Sequence, residues 1–295
     1  MNTPRVALLP ALDAARFQFE GLNCYVAGDG APLLLVHSVN ASGSAAEVRP
    51  LFEHYSATRT VYALDLPGYG FSDRSDRDYS PRLMTDALHA VAAQIRRRHG
   101  TQPLDAMALS LSCEFLARAA GEQPQHWGRL ALVSPTGFQG HRRRRGPAGS
   151  TLGLAWLHRL LSRPLWAQPL FNALTKPAVI RYFLKRTWGS PRIDETLWAY
   201  SVISAAQPGA RFATLHFLAA NLFSADIHTV YERLRQPVWV AHGVRGDFTD
   251  YRSLRIVNTR PNWQVQALQT GALPYFEVPA EFIAAMDAFL AGPAA

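Results

Sequence analysis

Apolar residues in this chain gather into short unbroken runs separated by polar and glycine-punctuated stretches. Pro32-Leu33-Leu34-Leu35-Val36-His37 is one such run and Thr60-Val61-Tyr62-Ala63-Leu64-Asp65 is another. Neither alternates with polar residues, which is the pattern of a strand covered on both faces. Ahead of them, Phe17 to Tyr25 alternates around Glu20-Gly21 and predicts a hairpin, with Asp29-Gly30 as a second turn. Further on, the spacing predicts a helix from Pro81 to about Arg98, a strand over Leu104 to Leu109, a turn at Ser110 and a helix from Leu111 to about Gly121. Strands over Leu130 to Ser134 and, after a long insert, Val238 to His242 follow, and a helix from Ala280 to Leu290 closes the chain. Strands separated by helices imply an α/β fold with a parallel sheet and right-handed crossovers.

Composition narrows the class. With 295 residues, 48% of them hydrophobic, the chain suffices for one large α/β domain or such a domain with an inserted cap. Its two cysteines, Cys24 and Cys113, are far apart and form neither a disulfide framework nor a metal-ligand pattern. The start, Met1 to Pro10, has too short an apolar run for an export signal, and no later run reaches the length of a membrane span. The expected location is the cytoplasm.

The net charge of +8 is concentrated in one region. Twelve of the 30 basic residues fall between Gln123 and Ile193, a stretch with no Asp or Glu, while the rest of the chain has 18 basic and 22 acidic residues. This insert contains Arg142-Arg143-Arg144-Arg145 and then an aromatic, leucine-rich stretch from Leu152 to Trp188. Basic side chains interleaved with Trp, Phe and Leu on helical segments suit an anionic membrane surface or an acidic partner. The plainer alternative is aromatics covering a pocket with arginines facing water. No nucleic-acid module accompanies the charge.

Five further features occur in a fixed order: His37-Ser38, Asp65-Leu66-Pro67-Gly68-Tyr69-Gly70-Phe71-Ser72-Asp73, a strand-turn-helix centred on Ser110, Gly243 to Asp247, and Gly271-Ala272-Leu273-Pro274-Tyr275-Phe276-Glu277. Together they resemble the α/β-hydrolase fold superfamily over nearly the whole chain outside the insert. The resemblance implies a mostly parallel central sheet with helices on both faces, a core of residues 1–138 and 233–295, and an inserted helical cap over 139–232.

It also implies a serine hydrolase-like site needing no cofactor or metal. Ser110, in Ala108-Leu109-Ser110-Leu111-Ser112, takes the place of the nucleophile on a strained strand-to-helix turn. Ser112 and Cys113 are alternatives, although the strand pattern places both in the helix. The backbone N–H groups of Leu111 and Val39 would form the oxyanion hole, with Asn40 nearby and His37 orienting the loop. Ser38 replaces a glycine usual in the family. Asp247 takes the place of the triad acid, with Asp250 as an alternative; without its usual partner, Asp247 is expected to pair with Arg245 or Arg252. The position of the histidine base carries Ala272, and a methyl group accepts no proton. His242 is the first alternative base, followed by His216, His228 and Tyr275.

Two functions stand foremost, with a third, lyase-like or other non-hydrolytic use of the oxyanion hole without an acyl-enzyme, behind them. One is action on an ester, thioester or lactone with a lipophilic part through Ser110 and a deficient or relocated triad. The other is a catalytically inactive relative that binds a lipophilic ligand, an acidic partner or a membrane surface.

Overall fold

A computed structural model describes residues 6–292; the first five residues of the start read for an export signal lie outside this range. Eight strands form one sheet in the order β1-β2-β4-β3-β5-β6-β7-β8. The hairpin β1 (Ala15–Phe19) and β2 (Leu22–Ala27) turns at Glu20 and Gly21, both at positive φ. β2 runs antiparallel to β4 (Thr60–Asp65). From β4 onward the pairing is parallel, through β3 (Pro32–Val36), β5 (Leu104–Leu109), β6 (Trp127–Val133), β7 (Val238–Gly243) and β8 (Trp263–Leu268).

The unbroken apolar runs have the expected physical cause. In β3, Leu34 and Val36 join one core cluster while Leu33 and Leu35 join the other, and β4 divides Tyr62 and Leu64 from Val61 and Ala63 in the same way. One face carries α2 (Pro81–His99) and α3 (Ser112–Glu122). The other carries α1 (Arg49–Tyr55) and the closing helices α10 (Pro274–Glu277) and α11 (Pro279–Ala291). β8 and α1 escaped the sequence reading. Gln264 and Gln266 interrupt β8, an edge strand with exposed positions, and α1 is only seven residues long.

Between β6 and β7 the chain inserts six helices: α4 (Ala155–Leu161), α5 (Ala167–Leu174), α6 (Pro177–Trp188), α7 (Glu195–Ala205), α8 (Ala210–Leu218) and α9 (Ile227–Arg233). Ile227 and Tyr231 of α9 belong to the same core cluster as Phe138. No helix among the described residues is long and apolar enough to cross a membrane.

The loop after β4 shows why its residue pattern is so particular. The fully buried Asp65 carboxylate accepts from Asn23 Nδ2 (2.9 Å), Ala45 N (3.0 Å) and Phe71 N (3.0 Å). Ser72 Oγ donates to Asp65 O and accepts from Asn23 N, tying the loop to the hairpin. Gly70 has φ +50°, and a Cβ there would fall inside the Asp65 carboxylate. Gly70→Ala should therefore destabilise the fold by at least about 2 kcal/mol, read as a lower urea midpoint; an unchanged midpoint would refute this account of the loop.

Candidate active site

The turn after β5 raises one residue out of the sheet. Ser110 has φ +56°, a strained value for a residue with a Cβ. The backbone holds it there: Ser110 N donates to Val133 O (2.8 Å), and Ser110 O accepts from Cys113 N (3.1 Å). Ser112 and Cys113 have other employment. Ser112 Oγ donates to His37 O (2.5 Å), and the fully buried Cys113 thiol, its pKa pushed well up by desolvation, donates to Ala108 O (3.1 Å).

Ser110 lies on the wall of a cavity of about 330 Å³ between the carboxyl edge of the sheet and the inserted helices. Val39, Asn40, Leu111 and Ala272 share that wall, and Leu184, Leu197, Phe217 and Phe223 reach it from the insert. The geometry thus brings together Ser110, Val39, Asn40, Leu111 and position 272. Among the described residues, neither the Val39 nor the Leu111 N–H donates to a protein acceptor. Both amides are free to meet a carbonyl oxygen.

The loop carrying Val39 is held by a carboxylate that the sequence reading missed. Glu47, buried on the cavity wall, accepts from Ser38 N (2.7 Å) and Asn40 Nδ2 (2.7 Å). Desolvation raises its pKa, against the opposing pull of those hydrogen bonds and of His37. Its only sequence signal was a lone acid in the apolar stretch Ala45-Ala46-Glu47-Val48. Asn40 uses its other end to accept from Ser42 N (2.7 Å), and Ser38 Oγ accepts from Asn40, so a side chain at position 38 is accommodated. His37 is fully buried; its Nδ1–H donates to Ser38 O (2.6 Å) while Nε2 accepts from Leu66 N (3.0 Å), leaving neither nitrogen for proton transfer.

Asp247 does not line this cavity. It is an exposed residue whose carboxylate pairs with Arg186 of α6 (2.5 and 2.7 Å), rather than with Arg245 or Arg252. Asp250 pairs instead with Arg252, which holds its carboxyl well below the usual range. The end of α6 sits between the loops carrying Asp247 and Ala272: Asp247 N donates to Arg186 O (3.1 Å) and Ala272 N to Thr187 O (2.9 Å). A Cβ at Gly271 would collide with the Thr187 and Trp188 carbonyls, so only glycine allows that approach.

No imidazole is among the residues lining the Ser110 cavity. His242 stacks on Tyr251 with ring centroids 3.9 Å apart and donates to Gly243 O (3.0 Å). Burial pushes His216 down to about 4; its ring lies tilted against His158, centroids 3.8 Å apart, and it lines a separate cavity. His228 donates to Gly137 O (2.7 Å) and accepts from Arg144 N (3.1 Å), while Tyr275 Oη donates to Glu47 O (2.8 Å). Each named alternative to the base is engaged elsewhere.

Behind the cavity wall, the fully buried Glu114 accepts from Thr136 Oγ1 (2.6 Å) and Ser224 N (2.8 Å), and desolvation raises its pKa. Above about pH 4.5 the unfolded chain releases this proton before the folded protein does, so the group's contribution to stability falls until pH passes the raised folded value. Glutamine meets the same partners, its carbonyl taking the Ser224 N–H and its amide donating to Thr136 Oγ1. As pH rises above about 4.5, Glu114→Gln should lose less stability than the unmodified protein in urea unfolding; an equal loss in both would remove Glu114 as the cause.

Comparison with known proteins agrees with this architecture. The chain is 26% identical over 272 residues to a pimeloyl-[acyl-carrier protein] methyl ester esterase of Xylella fastidiosa (strain M12), covering 90% of this chain and 97% of that protein. Among solved structures it resembles Cfl2 from Burkholderia cenocepacia, with a TM-score of 0.71 at 19% identity, covering 93% of this chain and 94% of that one. It also resembles a serine hydrolase involved in carbazole degradation (CarC), with a TM-score of 0.70 at 14% identity, covering 91% and 94%. A family model of the alpha/beta hydrolase fold matches residues 31–243, more than half of the sequence, and the chain belongs to that family.

Proposed function

We propose that the protein takes an ester or thioester with a lipophilic part into the Ser110 cavity, where Ser110 attacks the carbonyl and the Leu111 and Val39 amides stabilise the oxyanion. The observation that carries this reading is the strained Ser110 on the same cavity wall as two unengaged amide donors. The esterase named among the relatives supports ester chemistry. Ala272 and the absence of an imidazole from the lining mean that the hydroxyl has no neighbouring proton acceptor of the usual kind. Hydroxide then supplies the base, and attack by Ser110 is slow at neutral pH.

A fluorophosphonate probe should label Ser110, with a rate climbing roughly tenfold per pH unit between about pH 7 and pH 9. Ser110→Ala should abolish labelling. Ala272→His should accelerate it by at least about tenfold near neutral pH and flatten the profile there, as an imidazole takes over the proton. Failure to label at any pH would defeat the nucleophilic role; a plateau near neutrality in the unmodified protein would reveal a base elsewhere.

A second reading, a position at an anionic lipid surface, is favoured by α4, which has no buried residue. Trp156 and Leu165 are 61% and 81% exposed, beside the exposed Arg159 and Arg163. Exposed apolar side chains among cations, with no acid nearby in the chain, suit a negatively charged bilayer. The protein should float with vesicles containing phosphatidylglycerol and not with phosphatidylcholine alone, and Trp156→Ser with Leu165→Ser should weaken flotation. Flotation unaffected by lipid charge or by the substitutions would count against it.

A further inference from the structure

The four consecutive arginines do not form one surface. Arg142 and Arg143 are exposed, Arg145 turns outward to Glu232, and Arg144 turns inward onto the wall of the Ser110 cavity. The backbone dictates that difference. Arg144 N donates to His228 Nδ1 (3.1 Å), Arg144 O accepts from His228 N (3.1 Å), and the buried imidazole is held in turn by Gly137 O. Clamped on both sides of its Cα, Arg144 is held on the cavity wall that Thr136, Gln139 and Ser110 also line.

Arg144 is the one basic residue among those described as lining this cavity. Its Nη1 is buried without a hydrogen-bond partner, and it forms no ion pair among the described residues. The two carboxylates nearby are already committed. Glu47 receives Ser38 N and Asn40, and Glu114 receives Thr136 and Ser224 N; the charge of Arg144 acts on Glu114 through space without bridging it. A guanidinium on the wall of a largely apolar cavity, with a buried nitrogen unpaired, is stabilised by an incoming planar anion that can accept its N–H groups.

We propose that Arg144 is the anion-binding group of this cavity and that the ester taken by Ser110 carries a free carboxylate, seated on this guanidinium while the ester carbonyl meets the Leu111 and Val39 amides. This rests on the functional reading of Ser110 above and adds the substrate class. One guanidinium balances one negative charge, and the second charge of a phosphate would stand uncompensated. The cavity of about 330 Å³ restricts the ligand to a short chain.

The test compares monomethyl adipate with dimethyl adipate by titration calorimetry on the full chain, so that only the free carboxylate differs. The half-ester should bind at least about tenfold more tightly. Arg144→Gln should erase the preference, and Arg144→Lys should keep part of it. The backbone bonds to His228 do not involve the Arg144 side chain, so both variants should melt with the unmodified protein, and the lysine variant serves should glutamine disturb the loop. Equal affinities in the unmodified protein, or a preference that survives Arg144→Gln, overturns the inference. Fluorophosphonate labelling of Ser110 is scored separately: a carboxylate preference without labelling supports the anion site and defeats only the nucleophilic role.

Discussion

The buried Asp65 carboxylate is the junction on which the geometry around Ser110 depends. It takes a hydrogen bond from the hairpin through Asn23, one from the loop ahead of α1 through Ala45, and one from its own loop through Phe71. An ionised group without solvent is tolerated only when its lone pairs are met, and here donors from three separated segments converge on it. Leu66, the next residue, donates to His37 Nε2, and Ser112 donates to His37 O, which links this junction to the loop carrying Val39 and to the first turn of α3. The strained backbone of Ser110 persists because these loops leave it no other conformation.

The same economy holds where the insert meets the loops carrying Asp247 and Ala272. The last turn of α6 offers its Arg186 and Thr187 carbonyls to the amides of Asp247 and Ala272, and the Arg186 side chain pairs with the Asp247 carboxylate. Asp247, expected from the sequence to stand in the place of the family's acid, therefore has a cationic partner from the insert. Both helix-end carbonyls and the loop amides are satisfied by this contact.

Charge along the chain acquires meaning only through this folding. Asp226, although buried, pairs with Arg118 at 2.6 Å, and Arg59 pairs with Asp105 at 2.7 Å, so these two cations are compensated. Within the insert the compensation is partial. Arg145 and Arg186 find carboxylates, while Arg144 faces the cavity and Arg142 and Arg143 face solvent. A run of four identical residues is divided into three environments by the path of one loop.

The sequence by itself determined the central strands of the sheet and the helices between them, since unbroken apolar runs such as Leu33 to Val36 are stable only when covered on both faces, while the polar-interrupted edge strand β8 left no such trace. It also located the turn at Ser110 and the loop at Gly70, because backbone strain and close approach leave local traces in residue type. It could not find Glu47, which acts by receiving donors from Ser38 and Asn40 across a loop, nor Arg186, whose partner Asp247 lies 61 residues away. Those pairings depend on how the insert returns to the sheet edge, and no local periodicity encodes that. Which of the candidate histidines reach the serine, and which arginine enters the cavity, are questions of side-chain direction in three dimensions; only the tertiary packing decided them.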